Sequence, residues 1–259
     1  MNTQPIGIFD SGIGGLSILK EINKVLPNEN TIYLADNKNC PYGNKDAIEI
    51  VKFSLKNSSV LIDMNCKIIV VACNTATTNA IKEMRNSFSI PIIGIEPAIK
   101  PAILNTKTNK IGVLATEMTL TSDLFNQTSN KFSDKVEIIE QIGYGLVNQI
   151  EKGNINTENT RKLLKSYIDP MLDSNIDQLV LGCTHYHFLI PIIRQIITEK
   201  ITIQDPNKAI AKQIIKILKS KNLENSLKSN YKNKIYVNGG TEIIKNTINS
   251  NGEVNFLDF

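Results

Sequence analysis

The chain has 259 residues, 41% hydrophobic and 21% charged, enough to bury a substantial core without disulfide staples. Its formal charge of +4 rests on scattered lysines, with arginine only at Arg85, Arg161 and Arg194, so no basic stripe argues for nucleic acid. No apolar segment reaches the roughly 18 residues of a membrane span, and MNTQPIGIFD lacks the basic and apolar regions of a signal peptide, so a cytoplasmic location is expected.

Short β-branched runs alternate with helical patterns along almost the whole chain. IGIFD (6–10) reads as a strand, followed by a Gly-rich turn and the helix LSILKEINKVL (16–26). TIYLAD (31–36) is a second strand that ends in the loop DNKNCPYG (36–43). A long helix covers roughly 45–63, and KIIVVAC (67–73) is a buried strand. The helix TTNAIKEMRNSF (77–88) and the strand IPIIGI (90–95) follow. KIGVLAT (110–116) restarts the series, VEIIEQI (136–142) continues it, and DQLVLGC (177–183) is its buried strand. ITIQD (201–205) and KIYVNGG (234–240) close it, the latter feeding the helix TEIIKNTINS (241–250). Such alternation predicts βαβ units and parallel sheets. The bias toward Lys, Ile and Asn matches AT-rich coding DNA, and its densest basic tract, 219–234, reads as a solvated helix and loop.

The series repeats itself. IGIFD resembles IGVLAT (111–116), and IIVVAC (68–73) resembles QLVLGC (178–183), at similar separations. A duplicated α/β unit would place a cysteine at the carboxyl end of a strand in each half, where open parallel sheets bind their ligands. If the halves face each other, the two thiols meet across a cleft. The opposing account is that α/β proteins all contain such strands and the echo is chance.

The cysteines are Cys40, Cys66, Cys73 and Cys183; no pair has CxxC spacing, and the chain has two histidines, so no structural metal site is expected. DSGIGGLS (10–17) is neither a dinucleotide fingerprint, since Ser17 stands where the third glycine belongs, nor a P-loop, since Ile13 replaces the lysine. It leaves Asp10 and Ser11 beside exposed backbone N–H groups, a nest that can hold a carboxylate or simply a helix cap. Cys73-Asn74-Thr75 puts a thiol, an amide and a hydroxyl at a helix start, where partial positive charge favours thiolate; burial as inert core is the competing account. In Cys183-Thr184-His185, residues i and i+2 share a face of an extended segment, so His185 can exchange a proton with the thiol. The loop 36–43 offers Asp36 and the backbone N–H groups of Tyr42 and Gly43, although turn chemistry alone explains its Pro and Gly. Cys66 reads as helix-end packing, and Cys40 carries no assigned role.

Taken together, IGIFDSGIGGLS, DNKNCPYG, VACNTAT, PIIGIEPAIKPA and LGCTHYH, with weaker similarity in NKAIAKQIIKIL and KIYVNGGTEII, resemble the cofactor-independent amino-acid racemases, the glutamate racemases in particular. The resemblance spans nearly the whole chain. It implies two similar flavodoxin-like α/β domains facing each other across a central cleft, here residues 1–97 with 208–259, and residues 98–207. It implies that one cysteine removes the α-proton of glutamate while the other protonates the opposite face, with no cofactor. The product D-glutamate would supply peptidoglycan synthesis. Matching positions make Cys73 and Cys183 the acid/base pair, assisted by Asp10 and His185 respectively, with Cys73 acting on the D form and Cys183 on the L form. Substrate would be held by Asp10, Ser11, Tyr42, Gly43, Asn74, Thr75, Thr184 and His185. Asp36 and Glu151 match acidic positions that support the pair, and Thr116 and Thr119 match cleft positions. Because a negative neighbour raises a thiol pKa, Asp10 is expected to act as a proton relay or ammonium partner. His187 stands where the family has proline, and Asp205-Pro206-Asn207 replaces Asp-Ser-Gly. The rivals are an aspartate racemase, a one-thiol decarboxylase or isomerase, and a non-catalytic binding module. Oligomeric state is left open, a homodimer included.

Overall fold

Two runs of parallel strands organise the computed structural model, which describes residues 2–132, 134–225, 233–247 and 253–259. The strands are β1 (Ile6–Asp10), β2 (Thr31–Ala35), β3 (Ile68–Val71), β4 (Ile92–Gly94), β5 (Lys110–Ala115), β6 (Glu137–Ile142), β7 (Gln178–Gly182), β8 (Thr202–Gln204), β9 (Asn233–Val237) and β10 (Glu253–Phe256). The first sheet runs β10-β9-β2-β1-β3-β4, the second β6-β5-β7-β8, and every pairing is parallel. The first four strands of each sheet thus share one order: second, first, third, fourth. That is the flavodoxin-like order, and the sequence echo is a repeat of topology as well as of residues.

The central strands are apolar because helices cover both faces of each sheet. Residues of β1, β3 and β7 are buried throughout, as are all but the first of β5. Gly7 and Gly112 mark the repeat locally. A Cβ on Gly7 would lie 2.9 Å from Cys66 Sγ, and one on Gly112 would lie 2.7 Å from both Met171 Sδ and Ile176 Cδ1. In each unit a side chain near the helix end preceding the third strand drops onto a bare backbone, the packing expected for Cys66.

Helices end by a recurring device. Asn65, Asn175 and Asn222 follow the helices Ala47–Asp63, Glu158–Asp173 and Asn207–Ser220, and all three adopt positive φ, between 56° and 63°. Asparagine tolerates this left-handed conformation better than other residues with a Cβ. Asn109, just before β5, does the same at φ 57°.

Several boundaries differ from the sequence reading. The helix after Cys73 begins at Asn74 rather than near Thr77, because Cys73 Sγ accepts the Ala76 N–H and caps it. The strand β10, Glu253–Phe256, lay outside the sequence reading; its Phe256 is exposed and the strand is short. Residues 226–232 of the basic tract and 248–250 of the expected last helix lie outside the described residues. Among the described residues no helix is long and apolar enough to cross a membrane.

At the end of the first sheet away from the strand carboxyl termini, Lys67 Nζ pairs with Glu29 Oε2, with side chains 0% and 3% exposed. Glu29 Oε1 also accepts the Asn225 N–H at 2.8 Å, and Lys67 donates to Asn2 O at 3.2 Å. Removing one partner strands the other charge in the interior. Lys67→Met is expected to lower unfolding stability by about 3–5 kcal/mol in urea titration, and the double substitution Lys67→Met, Glu29→Leu to recover much of that loss.

Candidate active site

Parallel strands deliver their carboxyl ends to one edge of a sheet, and the candidate residues collect there. Asp10 ends β1, Cys73 follows β3, Thr116 follows β5 and Cys183 follows β7. Cys73 and Cys183 are each extended, and each begins a helical segment, Asn74–Ser87 and the 3-10 turn Thr184–Leu189. Their exposures are 4% and 6%, so the two thiols are enclosed.

Around Cys73 the environment is acidic. Asp10 is fully buried; its Oδ1 accepts the Ser11 N–H at 2.7 Å, and its Oδ2 accepts the Gly15 N–H. Ser11 Oγ lies 4.0 Å from Cys73 Sγ. Burial pushes the Cys73 thiol well above its ordinary range, and Asp10 and Cys183 push it further against the Ala76 N–H, which opposes them. Burial also raises the Asp10 carboxyl, partly offset by the charge of His185.

Around Cys183 the environment is cationic. Cys183 Sγ lies 3.9 Å from His185 Nδ1, and the opposite ring nitrogen, Nε2, is 2.6 Å from Glu151 Oε1. Burial pulls the imidazole pKa down, but contacts with Cys183, Cys40 and Glu151, together with the charge of Asp10, outweigh it and leave His185 well above its ordinary value. Burial likewise works to raise Glu151, yet its bonds to His185 and the Ile13 N–H hold it below the usual carboxylate range. Both directions describe an imidazolium–carboxylate pair.

The glycines of the turn 12–15 are explained by this pair. A Cβ on Gly12 would lie 2.0 Å from Glu151 Oε1, and one on Gly14 would lie 2.5 Å from His185 Nδ1 and Thr184 Oγ1. Side chains of the second unit press directly onto the backbone of the first. Thr184 Oγ1 also donates to Asp10 Oδ2 at 3.2 Å. On the other side of the seam, Thr75 Oγ1 lies 2.9 Å from Thr116 Oγ1 and 3.3 Å from Thr119 Oγ1. Gly43 backs onto Thr116, where a Cβ on the glycine would stand 2.8 Å from the threonine Cβ.

Not every expected residue turns its side chain to the thiols. Tyr42 OH donates to Asp36 Oδ2, while Asn57 Nδ2 donates to Tyr42 OH at 3.0 Å. The phenol is thereby committed to Asp36 and Asn57. Asp36 also accepts from Asn39 and from Asn238 Nδ2 at 2.6 Å, so its carboxylate anchors the loop 37–44 from behind. Asn74 Nδ2 donates to Ile95 O at 3.2 Å, tying the start of its helix to the chain just beyond β4. His187 and Asp205 are neighbours, Nε2 to Oδ1 at 3.3 Å, with His187 Nδ1 3.2 Å from Thr184 O. The hydrogen bond from His187 lowers the Asp205 pKa.

Three contributors were missed in the sequence. Tyr33 donates to Gly12 O at 2.7 Å and feels the charges of Asp10, Glu151 and Cys73. Asn37 Nδ2 donates to Glu151 Oε2 at 3.0 Å. Cys40 stands beside Glu151 and His185. The first reads as an ordinary strand residue, and the other two lie in a loop whose Pro and Gly already account for its shape.

The family model described as Asp/Glu/Hydantoin racemase matches residues 6–214. A glutamate racemase of Ralstonia pickettii (strain 12J) is 43% identical over 222 residues, covering 86% of this chain and 79% of that protein. The crystal structure of a glutamate racemase isoform from Bacillus anthracis superposes with a TM-score of 0.90 at 29% identity, covering 100% of this chain and 98% of the other. A Francisella tularensis glutamate racemase, solved in complex with D-glutamate, gives 0.86 at 30% identity over 99% and 98% of the two chains. The strand order, the paired thiols and these likenesses agree, and the chain belongs to the Asp/Glu/hydantoin racemase family.

Proposed function

We propose that the chain is a glutamate racemase that moves the α-proton of glutamate between two cysteines without a cofactor, working in the cytoplasm to supply D-glutamate for peptidoglycan. One observation carries the reading: two enclosed thiols follow the third strands of two sheets with the same strand order. Inverting a stereocentre through a planar carbanion needs a base on one face and an acid on the other, and a two-fold repeat provides both.

In the L-to-D direction, Cys183 as thiolate takes the α-proton of the bound amino acid, and the C–H electron pair stays on the substrate as a carbanion conjugated with its carboxylate. Cys73, entering as a thiol, gives its proton to the opposite face, and the two sulfurs leave with exchanged protonation. The reverse direction exchanges their roles. His185, kept cationic by Glu151, exchanges protons with Cys183. Asp10 serves Cys73 as a proton relay and as a partner for the substrate ammonium. Ser11, Thr75 and Thr184, with the backbone N–H groups of Tyr42 and Gly43, supply preorganised donors for the carboxylates and the charge that develops between them.

Incubation with L- or D-glutamate in D2O, without pyridoxal phosphate, is expected to give racemisation with solvent deuterium at Cα of the product. Cys73→Ser and Cys183→Ser should each lower the rate by about 10²–10⁴. Activity that survives both substitutions would end the two-thiol reading, and a preference for aspartate would reassign the substrate.

Thiolate absorbance followed against pH in a Cys183→Ser background tests the Asp10 assignment. Because Asp10 pushes Cys73 upward, Asp10→Asn is expected to move the Cys73 midpoint to lower pH, although burial keeps it above that of a free cysteine. A midpoint that rises or stays in place would show that Asp10 does not act on this thiol.

A further inference from the structure

Cys40 takes no part in the reaction proposed above, yet it sits against the pair that does. One potential ligand atom from each of Cys40, Glu151 and His185 lies within 4.8 Å of the other two, the one such His/Cys/carboxylate group among the described residues. The three come from distant parts of the chain: the loop before Pro41, the helix Leu146–Glu151 and the turn Thr184–Leu189. His185 Nδ1 faces Cys183, which leaves Nε2 on the Glu151 side for a further partner.

The site has access and a supporting residue. Cys40, Glu151 and Asn37 line a cavity of about 1090 Å³ that also reaches Gly240 and Thr241. Asn37 holds Glu151 through its Nδ2, while its buried Oδ1 has no hydrogen-bond partner. An unpartnered amide oxygen beside a carboxylate is an acceptor without a donor, and a cation or a cation's water would satisfy it.

We propose that Cys40, Glu151 and His185 form an inhibitory site for a thiophilic divalent cation of the zinc class. A thiolate, an imidazole and a carboxylate are a ligand set that favours such an ion over magnesium or calcium. With metal–ligand distances of about 2.0–2.3 Å, tetrahedral neighbours stand about 3.5 Å apart, so the separations of up to 4.8 Å within the group close to that value while His185 Nε2 and Glu151 Oε1, now 2.6 Å apart, open to admit the ion. On binding, the ion replaces the proton between His185 and Glu151 and the thiol proton of Cys40, and both protons pass to solvent. Oxidation states do not change. His185 still turns Nδ1 toward Cys183, but with the metal in place of its Nε2 proton it is a neutral ligand rather than an imidazolium and a far weaker acid toward the thiol, so bound metal and turnover oppose each other.

The inference builds on the two-thiol reading, but its first test does not need turnover. The metal-free full-length protein is titrated with Co²⁺, whose bond to thiolate gives a near-ultraviolet charge-transfer band. The band is expected in the unaltered protein and in Cys73→Ser and Cys66→Ala, and absent in Cys40→Ala and Cys40→Ser. Persistence in both Cys40 variants, or loss in Cys73→Ser, would place the metal on the catalytic pair and overturn the proposal, as would the absence of any band. The second test is racemisation with Zn²⁺. Inhibition of at least tenfold that EDTA reverses is expected, with Mg²⁺ without effect and the Cys40 variants at least tenfold less sensitive when each is compared with its own metal-free rate. Equal zinc sensitivity in those variants would also overturn it. A protein that shows the cobalt band without racemising would fail the proposed function alone.

Discussion

The pair of buried His185 and partly buried Glu151 ties the two halves of the molecule together. Its members come from the second unit, yet Glu151 accepts the Ile13 N–H at 2.8 Å and the Asn37 amide at 3.0 Å, both from the first. Taking two charges out of water is costly and is offset only when each finds further hydrogen bonds. Here those bonds are supplied by the opposing unit, so the pair is fully compensated when the units are together. The bare backbone at Gly12 and Gly14 makes the approach sterically allowed. Charge, contact and glycine form a single arrangement.

The repeat that creates a symmetric pair of thiols also gives them unlike surroundings. Cys73 faces a buried carboxyl, and Cys183 faces an imidazolium. Both thiols sit at the same place in the topology, after the third strand of their sheet. What differs is the neighbouring chemistry, Asp10 on β1 against His185 two residues beyond Cys183. The shared topology puts a sulfur after the third strand of each sheet, and the departure from symmetry gives each a different titratable neighbour. A racemase reading uses both properties.

Much of this was legible in advance. The strands β1, β3, β5 and β7 announce themselves as β-branched runs because both faces of a parallel sheet are covered. The Gly-rich turn and the two cysteine motifs were identifiable because small residues and thiols interrupt those runs at defined points. The purpose of the turn was not legible, since a glycine records a close approach without naming what approaches. Glu151 came only through family resemblance: its helix is six residues long and nothing in LVNQIE separates it from a surface carboxylate. Asp36, matched to an acidic position that supports the pair, anchors the loop through Tyr42 and Asn238, a long-range choice of partners that local sequence does not encode. Cys40 was passed over for the same reason, as its neighbours lie more than a hundred residues away.

The left-handed asparagines after three helices bear on how such a chain tolerates drift in base composition. Glycine is the residue that relieves strain at these sites most fully, but its codons are rich in G and C, whereas those of asparagine are rich in A and T. Asn65, Asn175 and Asn222 adopt the required backbone with a side chain that costs little there. Mutational pressure toward A and T can therefore exchange one terminator for the other without unravelling a helix end. The glycines pressed against Glu151 and His185 have no such substitute, because at those positions any side chain would collide, and there the nucleotide bias must yield.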